Sequence, residues 1–164
     1  MSQKARTFFP LLALLLLADC GSKQLAVEEL AHEYQSRDVV GEVLRFTLAY
    51  NTGASFSLSL GDYSRAGFSL IAMIVVVFLI DLYRKTAPHD RTLGAALGLI
   101  IGGALGNLAD RLRSDRGVVD FIDIGLGDSR FYTFNLADLG ITLGAMLLVF
   151  SILRRHRESV NVNG

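Results

Sequence analysis

The sequence predicts an all-α membrane protein: four transmembrane helices carrying a small extracytoplasmic β-sheet and a short interfacial helix. Three observations carry this expectation. The 164 residues are 51% hydrophobic although 20% are charged, with a mean hydropathy of +0.41. Charge is almost absent from four stretches, residues 7–18, 66–80, 93–109 and 136–153. Extended by a few Gly, Ser, Tyr or Asn, each approaches the roughly 20 residues that a spanning helix needs. Cations and acids are also distributed unequally among the connections. Such a composition excludes a disordered chain and an ordinary soluble enzyme. Sixteen Lys and Arg balance sixteen Asp and Glu, so global charge makes no case for nucleic acid.

One integral membrane domain is expected, with helices at about 7–22, 66–83, 92–111 and 136–153 and outer loops at about 24–65 and 112–135. Residues 1–6, 84–91 and 154–164 hold eight cations against Asp90 and Glu158 alone. Connections 23–65 and 110–130 also hold eight cations, but those are mixed with eleven acids. The positive-inside rule therefore places both termini in the cytoplasm and the two long loops outside.

The first helix begins after Lys4 and Arg6 and ends near Asp19. Leu17-Ala18-Asp19-Cys20 resembles a lipoprotein cleavage site, but Asp19 stands where a small residue is needed, so the segment stays a helix. Cys20 is the single cysteine, which excludes an internal disulfide and a thiolate metal cluster. Residues 25–34 read as the interfacial helix. Residues 39–50 are rich in β-branched and aromatic types and read as strand, with Asn51-Thr52-Gly53 a turn. The third helix repeats Gly94, Gly98, Gly102 and Gly106 at four-residue spacing, a seam for close helix packing. That seam makes the third helix central, with the fourth a plausible neighbour.

Polar residues at membrane depth are expensive and point to function. Asp19, Lys23, Asn107, Asp110, Arg111, Asn135 and Asp138 all fall near the outer helix ends, and Asp120 lies in the apolar run Val118-Val119-Asp120-Phe121-Ile122. Asp19 and Lys23 suit an i,i+4 ion pair. Asp110 precedes Arg111 and Arg113, which are expected to keep it ionised, and Asn107 could join that network. Asp138 has no cation within a turn. It reads either as half of a helix cap with Asn135 or as a reactive acid. In extended chain, Asp120 and Asp123 point to opposite faces, so only one can meet Asp138. Asn-Leu-Ala-Asp occurs at both 107–110 and 135–138, too short a match to claim duplication.

Two carboxyls sharing a site hold one proton between them. Such a pair can deprotonate water against an amide and protonate the leaving amine. Competing chemistry is poorly supplied. His32, His89 and His156 are scattered, and no zinc or phosphate-loop motif is present. A Ser–Lys pair would have to join Lys23 to Ser55, Ser57 or Ser59. A non-catalytic membrane subunit using its acids for structure is the alternative class.

Five blocks carry a resemblance: Asp19-x-x-x-Lys23, Asn51-Thr52-Gly53-Ala54-Ser55-Phe56, Gly102–Arg111, Val118-Val119-Asp120-Phe121 and Phe134-Asn135-Leu136-Ala137-Asp138. In this order and spacing, from about residue 10 to 150, the chain resembles the lipoprotein signal peptidase (signal peptidase II) family. That resemblance implies an aspartyl endopeptidase of the bacterial inner membrane, working at the outer leaflet without metal or other cofactor. It would cut diacylglyceryl-modified prolipoproteins before the lipidated cysteine and be inhibited by globomycin. It implies that Asp120 and Asp138 are the catalytic pair. Asn51, Gly103, Asn107, Asp110, Arg111 and Asn135 would line or support the site, with Asp19 and Lys23 supporting nearby. The expected partners are the substrate and membrane lipid, the expected state a monomer. The strand-like part of 39–60 is expected to clasp the substrate backbone by edge pairing.

Overall fold

A computed structural model describes residues 1–30, 36–52 and 64–162, with the side chains of 156–162 excepted. Its elements are α1 (Gln3–Glu29), β1 (Ser36–Val40), β2 (Leu44–Asn51), α2 (Ser64–Lys85), α3 (Arg91–Arg113), β3 (Val118–Leu126), β4 (Ser129–Arg130) and α4 (Leu136–Val162). All four helices are long and apolar enough to cross a membrane.

Helix α3 occupies the centre, packed against α1, α4 and α2. Its glycines explain the position. A Cβ at Gly94 would lie 2.7 Å from the Lys4 carbonyl oxygen, and one at Gly98 would lie 2.7 Å from that of Phe8. Gly102 meets Leu12 in the same way. The four-residue repeat on α3 therefore runs in register with a four-residue repeat on α1, backbone against backbone. The expected seam exists, but most of it faces α1. Helix α4 takes the adjacent face, where a Cβ at Gly103 would collide with the Ala137 carbonyl. Leu93, Leu97, Ile100 and Ile101 of α3 pack with Phe8, Val76 and Leu79 to form the core. On the outside of the bundle Leu14, Leu17, Val77, Phe78, Met146 and Phe150 remain exposed, an apolar surface suited to acyl chains.

The bundle has two distinct ends. At one, Lys4 Nζ donates to the Tyr83 carbonyl at 2.7 Å, and Asp90 caps α3 through Leu93 N at 2.9 Å. Arg155 of α4 ion-pairs with Asp90. The start of α1, the α2–α3 connection and Arg155 of α4 thus lie together. The sheet covers the opposite end.

That sheet has the strand order β1-β2-β3-β4, with each neighbouring pair antiparallel. Residues 39–50 are not one strand. Gly41, at φ 49°, turns the chain between β1 and β2, where a left-handed backbone favours glycine. Residues 25–29 continue α1 instead of forming a separate interfacial helix, because the pairing of Lys23 lets α1 run on past its charge. Residues 31–34 of that expected helix, the Gly53–Phe56 part of the second block, and Ser55, Ser57 and Ser59 lie outside the described residues. Within the expected clasp, residues 44–47 lie between β1 and β3, whereas 49–51 pair with β3 alone. Ala26, Leu30, Leu48 and Phe121 form a second, smaller core that fastens the sheet to α1.

Candidate active site

The site is built where α1, α3 and α4 end beneath the sheet. Helix α1 supplies Asp19 and Lys23, four residues apart and on one face. Both are almost wholly buried, at 0% and 3% exposure. Lys23 Nζ lies 2.7 Å from Asp19 Oδ2 and 2.9 Å from Asp110 Oδ2. It also donates to Asn107 Oδ1 at 2.8 Å. A buried ammonium so placed balances one negative charge and is shared by two carboxylates, whose burial without any cation would be costly.

The ion pair of Asp110 is made by Lys23 from another helix, while Arg111, the next residue in sequence, still acts on Asp110 through its charge. Asp110 also accepts from Val119 N at 3.3 Å, which ties the start of β3 to α3. Arg111 turns back to its own helix, donating to the Asn107 carbonyl at 3.2 Å.

Asp19 has a second task. Its Oδ1 accepts from Ala137 N at 2.9 Å, one of the unpaired donors in the first turn of α4. Next to that bond, Asn135 and Asp138 form a reciprocal cap. Asp138 N donates to Asn135 Oδ1 at 3.0 Å, and Asn135 N donates to Asp138 Oδ2 at 3.2 Å. The capping reading of Asp138 is therefore right, and it uses only one of the two carboxylate oxygens. Asp138 Oδ1 takes the Asn107 amide, at 2.8 Å.

Strand β3 delivers Asp120, which is 2% exposed. Its Oδ1 accepts from Asn135 Nδ2 at 2.7 Å and its Oδ2 from Asn51 Nδ2 at 3.1 Å. Ala49 of β2 sits opposite Asp120, and Asn51 stands two residues on, so both project from one face. Asp123 points elsewhere, to Arg130 at 2.8 Å and Thr47 at 3.2 Å, as the alternation of an extended chain requires.

Asn135 thus touches both acids: its backbone holds Asp138 and its side chain holds Asp120. It is 0% exposed and also donates to Asn107 Oδ1 at 3.1 Å. The two Asn-Leu-Ala-Asp segments meet here, each asparagine bracing an acid outside its own segment or the other asparagine. The repeat, too short to indicate duplication, was the sequence signal for this brace.

Burial raises the Asp120 carboxyl, and the nearby Asp138 charge raises it further, to about 7 despite the two asparagine amides. One group in this cluster can therefore hold or release a proton near neutrality. Of the residues named from sequence, Asp19, Lys23, Asn51, Asn107, Asp110, Asn135, Asp120 and Asp138 form one connected network. Gly103 sits lower, at the α3–α4 crossing, where its role is close packing.

Fold and site together define a multi-pass membrane protein with a buried cluster of acids and amides at one end of its helices. Residues 11–154 match the family model described as signal peptidase (SPase) II. The chain belongs to that family, and it is a membrane protease by that membership. It is 40% identical to a lipoprotein signal peptidase of Coxiella burnetii (strain Dugway 5J108-111), over 93% of each chain. A lipoprotein signal peptidase of Photorhabdus laumondii is 39% identical, over 93% of this chain and 91% of that one. Among solved structures, one described as a bacterial membrane enzyme, determined in meso at 1.9 Å, superposes with a TM-score of 0.79 at 28% identity. That match covers 90% of this chain and 92% of the other.

Proposed function

We propose that the protein is an aspartyl endopeptidase that removes the signal peptide from diacylglyceryl-modified prolipoproteins, cleaving before the lipidated cysteine. One observation carries the reading: Asn135 holds Asp120 and Asp138 at a single site through its side chain and backbone. Relatives named lipoprotein signal peptidase support the substrate class.

In this mechanism Asp138 is the base. Both its oxygens accept hydrogen bonds, from Asn107 Nδ2 and Asn135 N, which hold the carboxylate in place. Asp120, raised to about 7, holds the proton. Asp138 deprotonates a water as it attacks the scissile carbonyl, while Asp120 hydrogen-bonds the carbonyl oxygen. Proton return through the pair then lets the amine leave. The titration belongs to the pair. Asn51, Asn107 and Asn135 orient the acids, Lys23 balances Asp19 and Asp110, and Arg111 lies within electrostatic reach of Asp110, Asp120 and Asp138. No metal or other cofactor enters the mechanism.

A diacylglyceryl substrate stays in the bilayer, so the pair belongs at the outer leaflet of the bacterial inner membrane, with both termini cytoplasmic. The asymmetry of Lys and Arg supports that orientation. The enzyme would act as a monomer and bind globomycin-type inhibitors.

Purified protein incubated in detergent with a diacylglyceryl-modified prolipoprotein peptide tests the reading. Cleavage is expected before the modified cysteine, unaffected by chelator and abolished in folded Asp120→Asn and Asp138→Asn variants. Activity in either variant, loss of activity with chelator, or failure to cut any such peptide or bind globomycin would overturn it.

A further inference from the structure

Strand β3 carries an acid of the site near one end and an exposed apolar row towards the other. Side chains alternate along an extended strand, so Asp120, Ile122, Ile124 and Leu126 share a face. Leu44 of β2 stands opposite Ile124. On the returning chain, Phe131 N donates to the Ile124 carbonyl at 2.7 Å. The register Gly125↔Arg130 and Leu126↔Ser129 then puts the Phe131 side chain on the face of Ile124. Exposure rises along the row, from 2% at Asp120 to 41% at Ile124 and 68% at Leu126, with Phe131 at 67%. The reverse face is built differently. There Asp123 pairs with Arg130 at 2.8 Å and accepts from Thr47 at 3.2 Å, and Asp38 pairs with Arg45 at 2.7 Å. Where that face is apolar, at Phe121, Ala26 and Leu30 of the α1 end cover it.

Two observations say what covers the apolar row. Asp120 accepts from Asn135 at the start of α4, so the face it shares is turned towards the helix ends. Ile124, Leu126 and Phe131 are exposed on that face, and what surrounds the helices on that side is the bilayer. The row also sits at the level where α4 begins. The Phe131 ring lies 6.1 Å from that of Phe134, the residue before Asn135, and 6.2 Å from that of the exposed Tyr132. Aromatic rings collect at membrane–water interfaces. Building on the outer-leaflet placement of the acid pair given above, we propose that this face of the sheet rests in the outer leaflet, with Ile124, Leu126 and Phe131 at the boundary between headgroups and acyl chains. Glu42 and Asp128, in the two adjoining turns, keep the burial shallow, because a charged side chain stays in contact with water. Held in this way, β3 keeps Asp120 at the depth where a bilayer-held substrate presents its cleavage site.

The sequence contains no tryptophan, so a single introduced indole reports alone. Phe131→Trp and Leu126→Trp are reconstituted as full chains in phosphatidylcholine vesicles, with no substrate present. Asp38→Trp, on the reverse face and largely exposed, is the control. The lipid carries bromine, a contact quencher, at chosen depths of its acyl chains. Thermal unfolding checks that each variant is folded, and the two test positions keep the measurement decisive if one of them misfolds. Emission from positions 126 and 131 is expected to fall about twofold or more with bromine high on the chain and less with bromine near its end, as burial of about 5–10 Å requires, while the control changes by less than about a tenth. Quenching at either folded test position no greater than at position 38 would overturn the proposal. A blue-shifted but unquenched indole would then mean that protein covers this face, and an unshifted one that the face stands in water. The readout needs no cleavage, so it stands or falls separately from the assay of the proposed activity.

Discussion

Lys23 Nζ donates to Asn107 Oδ1 at 2.8 Å, and this bond decides which end of the Asn107 amide faces Asp138. An ammonium can only donate, so Asn107 turns its oxygen to Lys23 and its nitrogen to Asp138 Oδ1. The charge on α1 is thereby transmitted to α4 as an orientation.

Replacing Lys23 with Met should therefore be destabilising. Asp19 would be left buried and Asp110 half-buried without their cation, a loss of about 3–5 kcal/mol of stability. Thermal unfolding in detergent measures this. Asp19→Asn/Lys23→Met should be destabilised less than Lys23→Met alone, since one stranded charge is removed.

Asn107→Leu leaves the acids in place but deletes the donor to Asp138. A hydrogen bond to a charged group is worth about 1.5–3 kcal/mol, so kcat should fall roughly ten- to hundredfold. Steady-state cleavage should show KM little changed, because the lost contact is to the base and not to the peptide.

Asp120 makes both activity and stability depend on pH. Its carboxyl is raised to about 7 by burial and by Asp138, so between about pH 4 and 7 the folded protein binds a proton that the unfolded chain has released. Stability is then full at acid pH and declines as pH rises through that window, by up to about 4 kcal/mol, levelling off above it. Denaturant unfolding across this range should show the slope in the parent and lose it in Asp120→Asn. Cleavage, which needs the proton on Asp120, should decline on the alkaline side of about pH 7.

Two glycine substitutions should differ in sign. A Cβ at Gly98 would press 2.7 Å from the Phe8 carbonyl oxygen, whereas Gly21 has nothing within 4 Å. Gly98→Ala should cost about 1–3 kcal/mol through overpacking. Gly21→Ala, at an open helical position, should be neutral or gain up to about 1 kcal/mol. Unfolding midpoints of the two variants check this directly.

The four helices were legible because exclusion of charge over 12 or more residues is a local property of the chain. The capping pair Asn135 and Asp138 was legible too, since its partners lie three residues apart. Asp110 was only partly legible: sequence proximity suggested Arg111 and Arg113, of which Arg111 does act on it through its charge, but the ion pair comes from Lys23, 87 positions upstream. The sheet was half legible: its β-rich composition appeared in 39–50, but the turn at Gly41 divided that stretch into β1 and β2.

The sequence by itself determined that the chain spans a membrane, which ends of its helices carry acids and amides, and that Asp120 and Asp138 lack a sequence-adjacent counter-charge. Tertiary structure alone decided that these acids share Asn135, that Lys23 serves Asp19 and Asp110 together, and that the α3 glycines meet α1. The division has a physical cause. Hydropathy and helix capping act within a few residues, whereas burying a charge requires a partner wherever the fold can bring one, and the chain carries no local mark of that partner.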